Sequence, residues 1–362
     1  MFRPLPSVAQ ADRVLVSVNP KAGARPRANR VGQLIELLTQ QGLTIRSVSD
    51  LDEVAELAVD WHTEGVLRAV VAAGGDGTAA ELANRTPPGV PLALLPLGTE
   101  NLLAKYLGVH RSVDEAAAAI LRGRCWQIDA GQAGQRLFLL MMSCGFDADV
   151  VARLHGRRRG NIRHLSYIQP IFESLRRYNY PELTIRVAHG GSERGNASDG
   201  TPDATPDALP DATPDAVSDA TQVTMPGDES SATAEELTAR WAFVFNLPCY
   251  ARGIPLAPAA QGDDGRLDLC AFHRGSHWHA LRYLAHVWLG RHSRLGDCTA
   301  RQVERLRIES DRPVPYQLDG DHGGYLPVTL SVVPRRVTLV VPESFAPRRP
   351  TNHLLEGMHH RA

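Results

Sequence analysis

VLRAVVAAGGDGTAAELAN, residues Val66 to Asn84, joins three kinds of segment with no spacer between them. Val66, Leu67 and Ala69 to Ala73 form an apolar run that predicts a buried parallel strand. Gly74, Gly75, Asp76 and Gly77 follow at once, and Thr78 is expected to cap a segment of helix formers. A strand, a glycine turn and a helix start make a phosphate site: glycines let backbone N–H groups approach an anion, and the helix start adds partial positive charge. Asp76 repels phosphate unless it works through Mg2+ or takes a proton from an attacking hydroxyl. The run is neither a GxxxxGK[ST] loop nor a GxGxxG fingerprint. On spacing alone, a tight strand-to-helix turn is the alternative.

Working outward, the flanking residues alternate strand and helix. Arg13 to Val18 and Leu43 to Val48 read as strands, Ala28 to Gln41 and Leu51 to Glu64 as amphipathic helices, and Pro91 to Leu95 as a fourth strand. Pro96 to Asn101 is a second glycine-containing loop, followed by helical LLAKYLG and a helix over Val113 to Arg122. This pattern predicts a doubly wound parallel sheet, with both glycine loops leaving adjacent C-terminal strand ends, where open α/β sheets bind ligands.

After Cys125 the texture changes to strand-like runs: Trp126–Ala130, Arg136–Cys144, Leu183–Ala188, Arg240–Leu247 and Arg266–Phe272. Helices are few, near Ile162–Tyr178 and Ser276–Trp288. The expectation is α/β plus all-β: an N-terminal doubly wound α/β domain over 1–125, completed by 333–345, and a C-terminal β-sandwich domain over 126–332. The last strands, Pro327–Val332 and Arg336–Val341, return toward the first domain. Residues 190–236, with their repeated TPDA units, read as a disordered acidic insertion, because proline at this density blocks helix and sheet.

The 362 residues carry a formal net charge of -1 and 43% hydrophobic residues, so attraction to nucleic acid is not expected. Five scattered cysteines without a CxxC pair argue against a disulfide framework or a zinc site and suit a reducing cytosol. No leader with a long apolar core opens the chain, and no run reaches the ~20 apolar residues of a membrane span. A cytoplasmic chain with peripheral membrane association is expected. The arginines of HGRRRGNIRH (155–164) suit anionic headgroups, and Trp278, Leu281, Ala285 and Trp288 share a helical face that suits either a bilayer or the domain core.

Taken together, the loops resemble the diacylglycerol kinase catalytic domain family, which includes bacterial lipid kinases and sphingosine kinases. Asn19-Pro-Lys-Ala-Gly23 is similar to its NPxSG entry loop, and Gly74 to Asn84 to its GGDGTxxExxN. Pro96 to Ala104 is similar to PxGTxNxxA, Gly145 to Ala148 to GxGFDA, and Leu256 to Asp268 to APxAxxxDGxLD. Asp319-Gly320-Asp321 stands where the family has DGE. The matches keep family order from Asn19 to Asp321.

The resemblance implies ATP bound between the two domains, with Asn19, Ser49, Gly74, Gly75, Asp76, Gly77, Thr78, Gly98 and Thr99 around the nucleotide. It implies Asp321 as the proton acceptor, with Asp319 and Asp76 near the metal and the γ-phosphate. Aspartate at 321 is one methylene shorter than the family's glutamate, a loss of about 1 Å of reach. A structural Mg2+ is implied at the Asp264 side chain and the Gln261 and Arg266 carbonyls, oxygen ligands that suit a hard cation; a plain hairpin turn is the alternative there. The expected activity is phosphorylation of diacylglycerol or a related lipid at a membrane surface, with a homodimer left open. An NAD kinase-like phosphotransferase and a weakly active lipid- or nucleotide-binding sensor are the competing readings.

Overall fold

In the computed structural model the described residues are 2–18, 25–110, 112–156, 168–188, 235–250, 254, 256–289, 291–292 and 295–347. The first domain runs β1 (Phe2–Pro4), β2 (Arg13–Val18), α1 (Arg25–Gln40), β3 (Thr44–Val48), α2 (Leu51–Thr63), β4 (Leu67–Gly74), α3 (Asp76–Arg85), β5 (Pro91–Pro96), α4 (Leu102–Tyr106) and α5 (Val113–Arg122). Strands β5, β4, β2 and β3 pair in parallel in that spatial order. β4 is buried at every position, as an apolar run broken only at Arg68 requires when helices cover both faces. Its one charged residue, Arg68, is satisfied: the guanidinium donates to the carbonyls of Ile120 and Leu121 at 2.7 Å each and of Pro6 at 2.8 Å. Two of those carbonyls end α5, so the buried charge anchors a helix C-terminus.

The second domain adds β6 (Arg124–Ala133), β7 (Arg136–Phe138), β8 (Met141–Cys144), α6 (Phe146–Gly156), α7 (Ile168–Arg177), β9 (Leu183–Ala188), β10 (Glu235–Ala239), β11 (Trp241–Phe245), β12 (Leu267–Phe272), α8 (His277–Trp288), β13 (Cys298–Val303), β14 (Arg305–Glu309), β15 (Pro315–Leu318), β16 (Asp321–Tyr325) and β17 (Val328–Val341). β13, β12, β11, β8, β15 and β16 form an antiparallel sheet. β10, β9 and β14 form its partner layer, and Phe138, Met142, Ile185, Val244, Leu306 and Leu330 pack between the two. The fold is thus an α/β domain followed by a β-sandwich.

Two features of the chain path differ from the sequence expectation. The final strands are one: β17 runs through Pro334 without ending, pairing antiparallel with β14 and β6 and then parallel with β5. It makes one layer of the sandwich continuous with the α/β sheet. The run 136–144 is instead two strands, because the chain crosses between sheets at Leu139 and Leu140. β10 starts at Glu235, inside the stretch expected to be insertion; residues 189–234, like the arginine-rich 157–164, lie outside the described residues. No helix among the described residues is long and apolar enough to cross a membrane.

Candidate active site between the domains

The glycine turn opens at the C-terminal end of β4. Gly75, not Thr78, is the N-cap of α3, and no side chain caps it. With no capping side chain, the first N–H groups of the helix keep their capacity for an anion. Because β3, β2, β4 and β5 are parallel, Ser49, the 74–78 turn and the 97–99 loop leave the same edge of the sheet. Ser49 and Thr99 are exposed there. Asn19, also expected at this edge, lies outside the described residues.

The two glycine loops are clasped together. The Gly74 carbonyl accepts from the N–H of Leu97 at 2.8 Å and of Gly98 at 3.2 Å. A β-carbon on Gly98 would fall 2.6 Å from the Gly75 α-carbon, so only glycine allows this approach. Asp76 reaches across: Oδ2 accepts from Leu102 N–H and Oδ1 from Leu103 N–H, both at 2.9 Å. Burial pushes the Asp76 carboxyl above its ordinary range, opposed by those two N–H groups at the start of α4.

Asp319 makes a similar clasp in the second domain. Its carboxylate accepts from the N–H groups of Leu139 at 2.7 Å, Leu140 at 2.8 Å and Met141 at 2.9 Å, fixing the crossing between sheets. Burial pushes this carboxyl up to about 6, the three N–H groups oppose, and the Asp76 charge adds to the rise. The charge of Asp76 thus reaches Asp319 across the domain junction. Asp319 and Gly320 have φ of 52° and 91° and form the two-residue turn between β15 and β16, the left-handed pair that an Asp-Gly hairpin favours. Asp321 follows as the first residue of β16, and its Oδ2 stands 3.2 Å from where a β-carbon on Gly77 would lie. The carboxylate expected to accept a proton thus faces the expected phosphate turn.

Five residues that hold this arrangement had no role assigned from sequence. Buried Gln317 accepts from Gly320 N–H at 2.7 Å and donates to Ser143 Oγ at 2.9 Å. Ser143 Oγ donates to Asp147 Oδ2 at 2.6 Å, and Tyr250 OH donates to Asp147 Oδ1 at 2.8 Å. Burial raises the Asp147 carboxyl, while the Ser143 and Tyr250 hydroxyls and the Gln317 amide oppose. This chain ties the turn that carries Asp321 to the start of α6. Asn84, known from the sequence only as a motif letter, ties α3 to the second domain: it accepts from Leu137 N–H at 2.8 Å and donates to Leu137 O at 3.1 Å.

The expected cation loop lies apart, at the start of β12. Asp264 Oδ1 accepts from Arg266 N–H at 3.0 Å and Oδ2 from the Gln302 amide at 3.3 Å. Burial, and then the charge of Asp264, pushes the nearby Asp268 carboxyl up to about 7, and its Oδ2 is buried without a hydrogen-bond partner. An orphaned carboxylate oxygen beside a second carboxylate fits a hard cation. Among the described residues no cluster of three or more acidic, histidine or cysteine side chains could hold one alone. Backbone carbonyls, such as those of Gln261 and Arg266, would have to complete the shell.

Comparison with known proteins shows the family of both domains. The model of the diacylglycerol kinase catalytic domain matches residues 13–133, and that of the YegS C-terminal NAD kinase beta sandwich-like domain matches residues 141–341. The chain belongs to the diacylglycerol kinase and YegS family. A Bacillus subtilis diacylglycerol kinase is 22% identical over 92% of this chain and 98% of its own. Other relatives match more locally. A Pseudomonas putida protein named as a probable YegS-like lipid kinase is 44% identical over 23% of this chain and 29% of its own. An uncharacterised Synechocystis protein is 30% identical over 33% of this chain, which spans 28% of it. Among solved structures, a diacylglycerol kinase from Bacillus anthracis superposes with a TM-score of 0.60 over 91% of this chain and 97% of that one, at 19% identity, which supports the fold. The names of the relatives support a lipid kinase.

Proposed function

We propose that the protein transfers the γ-phosphoryl group of ATP to the hydroxyl of diacylglycerol or a related lipid alcohol, in an Mg2+-dependent reaction. The observation that carries this reading is the approach of Asp321 to Gly77. A carboxylate from the sandwich domain stands over an uncapped helix start and glycine turn of the α/β domain.

In this reading the turn N–H groups and the N-terminus of α3 hold the phosphates. Asp321 accepts the lipid hydroxyl proton as the new P–O bond forms, and ADP carries off the electrons of the bond that breaks. Asp76 and Asp319 keep the two loops and the sheet crossing in register through their bonds to backbone N–H groups. A cation at Asp264, Gln261 and Arg266 would neutralise the Asp264–Asp268 pair and stiffen the start of β12; it is separate from the Mg2+ that accompanies ATP.

The test is incubation with γ-labelled ATP and a panel of lipid alcohols, with NAD as the competing acceptor. Label in a chloroform-soluble product supports the reading. Label found only on NAD overturns it.

A further inference from the structure

Helix α8 is apolar on two sides. Its buried side, Ala280, Tyr283 and Val287, packs on the sandwich, with the Tyr283 ring 4.6 Å from that of Phe272. Its outward side carries Trp278, 81% exposed, Leu281, 51% exposed, exposed Ala285, and the C-cap residue Leu289, 56% exposed. A soluble helix ordinarily turns its polar residues outward. Here positions 278, 281, 285 and 289 form a second apolar stripe about 18 Å long at 1.5 Å per residue.

Cations outnumber carboxylates around this stripe. Residues 269–296 contain no aspartate or glutamate, four arginines and five histidines. Arg274 and Arg282 are exposed beside the helix, and the first carboxylate beyond it, Asp297, is mostly covered and shared by both. Tyr180, three residues beyond the end of α7, lies with its ring 5.7 Å from that of His277 at the start of α8. α7 exposes Phe172 at 58%, with the Arg176 guanidinium over its ring at 5.6 Å, and Arg177 is exposed beside it. α7 packs on α6, and α6 packs on β15 and on β16, the strand that begins with Asp321.

We propose that the outward face of α8, together with the exposed side of α7, docks the protein on an anionic bilayer. Trp278, Leu281 and Phe172 enter the headgroup boundary, and Arg176, Arg274 and Arg282 lie against lipid phosphates. Apolar residues flanked by an excess of cations, with Glu173 beside Phe172 and Asp297 behind Arg274 and Arg282 as the neighbouring carboxylates, match an anionic interface better than a neutral one. The inference rests on the lipid-kinase reading for its purpose, because an acceptor with acyl chains stays in the bilayer and the enzyme must come to it.

Flotation with vesicles tests it, using the full chain and no turnover. Wild type should bind phosphatidylcholine vesicles enriched in phosphatidylglycerol and leave pure phosphatidylcholine unbound. Trp278→Ala with Leu281→Ala should lower the partition coefficient about tenfold or more, as the loss of two interfacial apolar groups implies. Arg176→Glu with Arg177→Glu should do the same. All four side chains are exposed, so circular dichroism and melting should match wild type. Equal binding of wild type and both variants overturns the proposal. So does a dimer in sedimentation velocity that the apolar variant converts to monomer, since a second copy would then cover the face. Phosphorylation of micellar lipid without vesicle binding removes the docking face and leaves the kinase standing; vesicle binding that the variants abolish, in a protein that phosphorylates no lipid, supports the docking face and removes the kinase.

Discussion

Asp321 and Gly77 meet across the junction of the two domains: the aspartate Oδ2 lies 3.2 Å from the place a β-carbon on residue 77 would occupy. Gly77→Ala therefore puts a methyl group against the carboxylate, a contact tighter than side chains normally make. Position 77 lies in the first turn of α3, where alanine favours the helix. The expected outcome is a turnover loss of about tenfold or more, as misplacement of a reacting group implies, with a melting temperature at or above wild type. Steady-state kinetics beside thermal melts separate the two. Unchanged turnover would mean that the carboxylate does not act at this contact.

Gly98 is the second close approach. A β-carbon there would lie 2.6 Å from the Gly75 α-carbon and 2.7 Å from Asn101 Oδ1. Gly98→Ala must push the two glycine loops apart, and Asp76 would lose its bridge to α4. ATP affinity, measured by calorimetry, should fall about tenfold or more on the scale of one or two lost backbone contacts. Affinity equal to wild type would separate the 97–99 loop from nucleotide binding.

Gln317 holds the Asp319–Gly320 turn from behind, and it should behave as a positioning residue. Gln317→Leu leaves Gly320 N–H and Ser143 without their partner, at a stability cost of about 1–3 kcal/mol. It should lower kcat while KM for ATP stays near wild type, because the nucleotide loops lie in the other domain. Gln317→Glu keeps the acceptor for Gly320 N–H and should recover part of kcat at low pH, where the new acid is protonated. A change confined to stability, with kcat intact, would make Gln317 purely structural.

Much of this site is readable in the chain because its parts are local. β4 declares itself by an apolar run broken only at Arg68, and the α/β domain by alternating periods. The network behind the turn is not local. Gln317 and Ser143 stand 174 residues apart, and no period links them. β13 and β16 are half exposed and polar, with DHGGY as the sequence of β16, so no hydrophobic pattern marks them. β17 reads as two strands because Pro334-Arg335-Arg336 interrupts its apolar residues, yet backbone pairing with β6 resumes beyond them after a bulge. Periodicity does identify α8, but with two apolar stripes it cannot say which one faces the core. That is settled by Tyr283 packing on Phe272.

Asp268 sets a pH dependence of stability. Its folded carboxyl is raised to about 7 by burial and then by Asp264. Below the ordinary carboxyl range, near pH 4, the group is protonated whether folded or not, and its contribution is full. Between about 4 and 7 the unfolded chain releases the proton first, so stability falls as pH rises through this window. Asp268→Asn should remove up to about 2–4 kcal/mol of that fall. Melting curves from pH 5 to 8 check the slope. Mg2+ added at pH 8 should raise the wild-type melting temperature and leave Asp264→Ala unchanged. An equal Mg2+ response in both proteins would exclude the 261–266 loop as the cation site.

The most direct test of the central claim is single-turnover transfer from γ-labelled ATP to diacylglycerol by wild type and Asp321→Asn, with ATP binding measured on the same samples. The account predicts equal ATP affinity, label in a chloroform-soluble phosphate ester with wild type, and a rate at least about a hundredfold lower with the amide, in line with the loss of a general base. Transfer by Asp321→Asn at the wild-type rate would contradict it.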